Sequence, residues 1–361
     1  MPTSAVTPGE KINSSLSDSL QEPDSSKITE FEGHKFALEA VAAGSEPWPY
    51  SIEPLPDGRI LLSTRGHGLK VITPGSSTAV PVAIDPLKVR EINAYDFCFE
   101  NKTQHGLPRG NGWMLDIATS PKPSERDTVF IAIGRTAQRN PFPKDPCPET
   151  APSSWGPGTS MIQIIRGKLI GNELIDVKEV WAFDKRHYTK ETELTLGGRI
   201  TFDGAGNLLF SVGVKGAAND LPVERHKRAQ DLSHPEGKIH RVQPDGKGPP
   251  ADNPFNGDGG TSNLTYPCGK PQLAVLDSIY ACGVRSPQGL EYDHRRQVLW
   301  QTEMGPAGGD ELNLIVAGGN YGWPYATSGT PYDGPVNYAA GVDTKALHFK
   351  PPIWDFGWNG R

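Results

Sequence analysis

The chain has 361 residues, which allows one or two domains at about 150 residues each, or a single all-β body of greater size. Its 41 glycines and 34 prolines make up about a fifth of it, against roughly 12% in ordinary proteins. That excludes a helical bundle, while 36% hydrophobic residues and 8 tryptophans exclude wholesale disorder. A net charge of −6 without any dense basic region argues against nucleic acid as a partner, and no apolar run reaches the ~18 residues of a membrane span.

Residues 1–27 are rich in serine, proline and charge and read as a disordered leader. They lack the basic start and apolar stretch of a signal peptide. Residues 28–361 read as one β-rich domain. An apolar strand, a short turn of Asp, Gly or Asn and a second apolar strand recur at residues 50–64, 114–134, 199–213 and 289–303. A further strand candidate follows each hairpin, at 68–75, 161–171, 237–246 and 312–320. Three to four strands per unit, repeated with drifting sequence, predict a β-propeller rather than a β-sandwich.

Ile60, Val129, Leu208 and Val298 occupy equivalent second-strand positions, separated by 69, 79 and 90 residues. These steps exceed the ~40–50 residues of a minimal blade, so long loops must interrupt the blades, at 137–160 and 247–270. At about 80 residues per blade the chain holds four to five blades, and six would need about 480 residues. An incomplete ring leaves open strand edges, so the expectation is a fragment of a longer propeller. Of the four cysteines, Cys98, Cys147, Cys268 and Cys282, none forms a CxxC pair, which leaves zinc and thioredoxin-type readings without support. Cys268 and Cys282 could close a loop as a disulfide or stay as buried thiols. Asn13, Asn101 and Asn263 begin Asn-x-Ser/Thr sequons.

Four stretches in order, LGGRITFDGAGNLLFSVG, AQDLSHPEGKIHRVQPDGKGPPADNPF, IYACGVRSPQGLEYD and QTEMGPAGGDELNLIVAGGNYGWPYATSG, resemble the soluble aldose sugar dehydrogenases dependent on pyrroloquinoline quinone, in the glucose/sorbosone dehydrogenase superfamily. The resemblance implies a six-bladed propeller of four-stranded blades, incomplete here. It implies a quinone at the channel mouth on a calcium ion, a sugar substrate, a separate electron acceptor and an extracellular or periplasmic location. A histidine base takes the proton of the anomeric hydroxyl while hydride passes to the quinone, and the divalent cation polarises the quinone as a Lewis acid.

Carried over by position, the resemblance assigns the carbonyls of Gly305 and Pro306 to the cofactor's calcium, whose hard oxygen preference they suit. Asp310 matches an acid at the substrate edge, and Glu311 with the backbone near Tyr321 matches a second, structural calcium site. Arg285 matches an arginine of the cofactor pocket, suited to the quinone's carboxylates. Lys215 stands where the family has a glutamine near the cofactor, Ser286 replaces an asparagine, and Met304 replaces a polar residue.

The largest departure is Thr195, four residues before Arg199, where the family carries its catalytic histidine. A threonine hydroxyl cannot act as a general base near pH 7 unaided. Other histidines read as structural: His187 in a polar loop, His226 on a solvated basic face, His234 and His240 at a strand edge. Two functions follow, a quinone- and calcium-dependent sugar dehydrogenase with altered activity, or a non-catalytic calcium-stabilised propeller that binds a carbohydrate or protein. A hydrolase or lactonase finds no nucleophile motif.

Overall fold

The computed structural model describes residues 28–31, 33–37, 49–64, 68–76, 78–84, 100–104, 107–109, 114–136, 160–188, 197–214, 223–256, 268, 273–331 and 337–357. The expected leader at 1–27 and most of the loop at 137–160 lie outside them, as do Cys98, Cys147, Thr195 and Lys215.

Four antiparallel sheets follow one another along the chain. Blade I comprises β3 (Pro49–Pro54), β4 (Ile60–Thr64), β5 (Gly68–Ile72) and β6 (Ala79–Pro81). Blade II comprises β10 (Met114–Thr119), β11 (Thr128–Thr136), β12 (Ser160–Ile170) and β13 (Glu173–Ala182), with β7 (Ala83–Ile84) added parallel to its outer edge. Blade III is built from β14 (Gly197–Phe202), β15 (Leu208–Val212), β16 (Lys238–Val242) and β17 (Ile279–Cys282). Blade IV is built from β18 (Pro287–Asp293), β19 (Val298–Glu303), β20 (Glu311–Ile315) and β21 (Trp354–Asp355). Two small hairpins, β1 (Ile28–Phe31) with β2 (His34–Ala37) and β8 (Glu100–Gln104) with β9 (Leu107–Arg109), complete the described strands.

The four hairpins expected from the sequence are the first two strands of the four blades, and each third-strand candidate is the third strand. The fourth strands carry the weakest pattern: β6, β17 and β21 have three, four and two residues. Short outer strands present little unpaired backbone, and β7 covers the long β13.

Blade packing explains why the inner strands read as continuous apolar runs. Along β11, Val129, Ile131 and Ile133 enter a core shared with Leu61 and Leu69 of blade I. The alternate residues Phe130 and Ala132 enter a core shared with Ile200, Phe202 and Phe210 of blade III. In β15, Phe210 faces blade II while Leu209 joins Leu290, Leu299 and Ile315 of blade IV. Both faces of a middle blade are buried, so both sets of alternating positions must be apolar. The turns are set by local chemistry: Asp203 Oδ1 accepts the N–H groups of Ala205 and Asn207, and Gly206 takes the positive φ of 80° that closes the β14–β15 hairpin.

The first strands lie at the centre. β10 packs against β3 and β14, and β14 against β18. They enclose a cavity of about 480 Å³ lined in part by Glu53, Asp116, Arg199 and Glu291. Arg199 crosses it, pairing with Asp116 at 3.2 Å and donating from Nε to Gln288 O at 2.6 Å. Asp116 also accepts Ile200 N–H at 2.9 Å.

Cys268 and Cys282 form a disulfide with Cα atoms 6.5 Å apart, which settles the alternative the sequence left open. It fastens residue 268 to the end of β17. Closing a loop of this length is worth roughly 3 kcal/mol. Cys268→Ser is therefore expected to lower the unfolding free energy by about that amount in non-reducing buffer. Equal denaturant midpoints for wild type and variant would show that the bond adds nothing.

Candidate functional site

Of the residues singled out in the sequence, Arg285, Gly305, Pro306, Asp310 and Glu311 lie together at one end of blades III and IV. Gly197 opens β14 and pairs with Val212 at the end of β15, which in turn pairs with Lys238 at the start of β16. A Cβ on Gly197 would press at 3.1 Å on Pro287, the first residue of β18. Pro287 pairs with Glu303 at the end of β19, and Glu303 with Glu311 at the start of β20. Entries to four strands and exits of two thus meet at one rim.

Arg285 occupies this rim in the turn from β17 to β18. The turn starts at Gly283, with φ 76°, where a side chain would overlap Asn320 Oδ1 and crowd Gln230 Nε2. Only glycine tolerates both demands. Arg285 is buried; its N–H donates to Glu303 Oε2 at 2.9 Å, and its Nη1 donates to Met304 O at 2.8 Å and Gly305 O at 2.7 Å. Its guanidinium also lies 5.2 Å from the centroid of the Trp323 ring. Val214 N–H donates to Arg285 O at 2.8 Å, so the segment leading to Lys215 passes beside it. Arg285 and Gly305, 20 positions apart in sequence, are thus in direct contact.

The 305–310 turn is wound tightly. A Cβ on Gly305 would collide with the carbonyl oxygens of Gly308 and Gly309, and one on Gly309 with the backbone of Gly329. Asp310 Oδ1 accepts Gly305 N–H at 2.9 Å, while the residue stays exposed. Backbone oxygens therefore crowd one side of Gly305, and Pro306 beside it is buried.

Glu303 and Glu311 form a buried carboxyl pair at the blade IV rim. Burial first, then the neighbouring Glu311, pushes the Glu303 carboxyl up to about 8. Glu311 is also raised, chiefly by burial. Gln301 donates to Glu303 Oε2 at 3.2 Å, and Asn313 donates to Glu311 Oε2 at 3.2 Å. Asn313 Oδ1 is buried without a hydrogen-bond partner among the described residues. Tyr321 stands at the far end of the same strand, its hydroxyl donating to Leu314 O at 2.7 Å and accepting Val316 N–H at 2.8 Å. The ring of Tyr321 thus braces the end of β20 opposite to Glu311.

A polar knot joins the rim to the loops behind it. Gln230 and Asn320 exchange two amide hydrogen bonds of 2.9 and 2.8 Å, and Gln230 also donates to Trp323 O at 2.7 Å. Lys238, fully buried, donates to the carbonyls of Arg228, Ala229 and Glu236 at 2.8–2.9 Å. Burial pushes its ammonium down to about 7.

The histidines differ from their sequence reading. His226, expected on a solvated face, closes the short helix α1 (Val223–His226) and is 3% exposed. It lies against Trp323 and Tyr338, with ring centroids 5.3 and 5.2 Å away. His240, expected at an edge, is fully buried in the middle of β16, stacked 5.0 Å from Phe210 and bonded to Ser278 Oγ and Pro235 O at 3.0 Å each. His187 is buried too. The basic run ERHKR hid the first of these, because its charges suggest a solvated face, whereas Arg225 and Arg228 turn to the buried Glu236 and His226 packs inward beside them.

Comparison with known proteins decides the family. The sequence matches the family described as Glucose / Sorbosone dehydrogenase over residues 46–359. The chain belongs to that family. Its relatives include the aldose sugar dehydrogenase YliI of Escherichia coli, 38% identical over 287 residues, covering 79% of this chain and 61% of the relative. The chain spans about 60% of the length of the curated relatives that it matches. Among solved structures, the soluble aldose sugar dehydrogenase of Escherichia coli in its apo-form is similar, with a TM-score of 0.53 and 23% identity, over 86% of this chain and 72% of that one. The PQQ-bound aldose sugar dehydrogenase of Streptomyces coelicolor is similar with a TM-score of 0.54 and 23% identity, over 89% and 71%. At such identities the structural likeness speaks for the propeller fold. Among the described helices none is long and apolar enough to cross a membrane.

Proposed function

We propose that the chain is a sugar dehydrogenase that binds pyrroloquinoline quinone and calcium at the blade III–IV rim and oxidises an aldose to its lactone. The observation that carries this reading is the buried guanidinium of Arg285 fastened to the Met304 and Gly305 carbonyls. It supplies a fixed positive charge where a planar, multiply charged acid would lie. The chemistry of the donors fits both groups. Gly305 and Pro306 offer backbone oxygens for the cofactor's calcium, that of Gly305 through the lone pair Arg285 leaves free, and Glu311 offers carboxylate oxygen for a second ion. The burial of the Glu303–Glu311 pair, with Asn313 Oδ1 lacking a partner among the described residues, supports a cation there.

Bound quinone supplies a hydride acceptor, and calcium polarises it. The chain's own residues do the rest. Arg285 and Lys215 hold negative charge, Asp310 orients a sugar hydroxyl from its exposed position, and the tight 305–310 turn keeps its carbonyls pointed. A separate electron acceptor restores the cofactor. The Cys268–Cys282 disulfide supports an extracellular or periplasmic setting. Thr195 in the place of the family's histidine favours a second reading, a propeller that binds the same ligands, a carbohydrate or a protein without turnover.

Reconstitution separates the two. The purified chain with calcium and pyrroloquinoline quinone is expected to show a shifted quinone absorbance and slow dye reduction with glucose or other aldoses. A shift without dye reduction would favour the second reading. Neither signal would sink the dehydrogenase proposal.

A further inference from the structure

Three buried polar atoms in one cluster have no hydrogen-bond partner among the described residues: Nδ1 and Nε2 of His226 and Nε1 of Trp323. Both side chains are 3% exposed. Their rings meet edge to face, 5.3 Å between centroids at 85°, and Arg285 lies over the same Trp323 ring at 5.2 Å. Tyr338 closes another side of His226 at 5.2 Å.

Leaving such groups dry is costly, roughly 1–3 kcal/mol for each unsatisfied atom. A phenylalanine in place of His226 would keep the packing at no such cost. The polar atoms therefore need a reason outside the fold. Their chemistry narrows it. The indole nitrogen only donates, the guanidinium only donates, and a neutral imidazole donates from one nitrogen. The cluster is rich in donors, carries positive charge and is walled by aromatic faces. A carboxylate, with two oxygens that only accept, is the complementary group.

We propose that His226 and Trp323, beside Arg285, form a pocket for a carboxylate of the bound cofactor, Trp323 Nε1 and one ring nitrogen of His226 donating to its oxygens while Arg285 supplies the charge. This rests on the quinone reading above and adds two residues to it. It also explains why the turn from β17 to β18 and the loop at 320–323 are locked together through Gln230 and Asn320: Trp323 and Arg285 must hold a common geometry.

The test uses the full chain with calcium, two variants that each delete nitrogen and keep an aromatic ring, His226→Phe and Trp323→Phe, and three probes. The probes are pyrroloquinoline quinone, its trimethyl ester and isophthalate. Removing a hydrogen bond to a charged group is expected to weaken binding of the quinone about tenfold to hundredfold in each variant. The ester, with its carboxylates masked, is expected to bind both variants as it binds the wild type. The melting temperature of His226→Phe is expected to equal or exceed that of the wild type, because an orphaned polar group has been removed, whereas Trp323→Phe also gives up buried ring volume and is read by affinity alone. Loss of affinity with a gain in stability is a signature that a structural role would not produce. If either variant fails to fold, the other carries the comparison.

Equal quinone affinity in wild type and variants would overturn the pocket and leave the quinone reading standing. If the wild type binds no quinone, that reading fails and isophthalate decides the pocket alone. A shift of the His226 imidazole resonance on adding isophthalate, absent for benzyl alcohol, would retain a carboxylate site of another source; no shift would overturn it.

Discussion

Thr195→His is expected to raise the rate of aldose oxidation by the reconstituted protein by about 10²–10⁴-fold, the range that a positioned general base contributes. The reacting hydroxyl must lose a proton as hydride leaves the carbon. A threonine hydroxyl cannot accept that proton near neutrality, whereas an imidazole with pKa near 6.5 can. Two residues downstream, Gly197 opens β14 against Pro287, directly after Arg285 and Ser286. The measurement is kcat for glucose at saturating quinone and calcium, with its pH profile. The variant should gain an ionisation near pH 6–7 below which activity falls, and KM should change less than kcat. An unchanged rate with intact quinone binding would show that the base belongs elsewhere in this chain.

Acid is expected to destabilise the protein by on the order of 3 kcal/mol between pH 6.5 and pH 4, the loss from two histidines less the opposing share of Glu303. Two buried imidazoles drive this. Burial, then the charges of Arg285 and Arg225, lowers His226 to about 4. Burial lowers His240 to about 3, the Pro235 carbonyl opposing it and Lys238 and His187 adding to it. Both values lie below the ordinary 6.5 of an unfolded histidine. The unfolded chain therefore binds protons that the folded chain refuses. The contribution of the two histidines is full above pH 6.5 and falls as pH drops toward 3–4. Asp57, Asp245, Asp252 and Asp293 are all held below their ordinary value by hydrogen bonds to Arg or Lys neighbours, so their share is lost only below about pH 4. Glu303 and Glu311, raised by burial, act in the opposite direction. The comparison with His226→Phe isolates the imidazole: urea unfolding at pH 7, 6, 5 and 4 should give a shallower decline for the variant. A wild-type free energy that stays flat across that range, or parallel declines in both proteins, would refute the assignment.

The two predictions draw on different kinds of information. Thr195 is notable only because of its spacing to Arg199 and the motif around it, a one-dimensional fact. His226 and His240 are notable only for what surrounds them. Inside ERHKR, His226 is flanked by four charged residues and shows no apolar period to mark it as buried. Its burial follows from a four-residue helical turn and from Trp323 and Tyr338, which arrive from 97 and 112 positions away. His240 lies in GKIHRV, where alternation suggests an outward polar residue. It points inward because blade III is covered on both faces, and its two nitrogens find Ser278 and Pro235 inside.

Blade by blade, the first three strands were legible because hairpin turns and strand periodicity are local. Asp-Gly and Asp-Gly-Ala-Gly turns close the first hairpins of blades I and III, short polar turns those of blades II and IV, and the inner strands are long and apolar. The fourth strands were not legible. With two to four residues in β6, β17 and β21, they carry too little pattern to stand out, and they exist as strands because the third strand offers them an edge.

The sequence by itself determined the β-propeller class, the start of each blade and the family motifs around Arg285, Gly305 and Glu311. Those depend on turn chemistry, strand periodicity and motif order, all short in range. Only the tertiary structure decided that Cys268 and Cys282 are bonded, that Arg285 reaches the Gly305 carbonyl, that Glu303 and Glu311 share one buried corner, and that His226 is buried against Trp323. Each of these joins segments that only blade packing brings together. Burial and charge at such junctions belong to the neighbours, not to the residue itself.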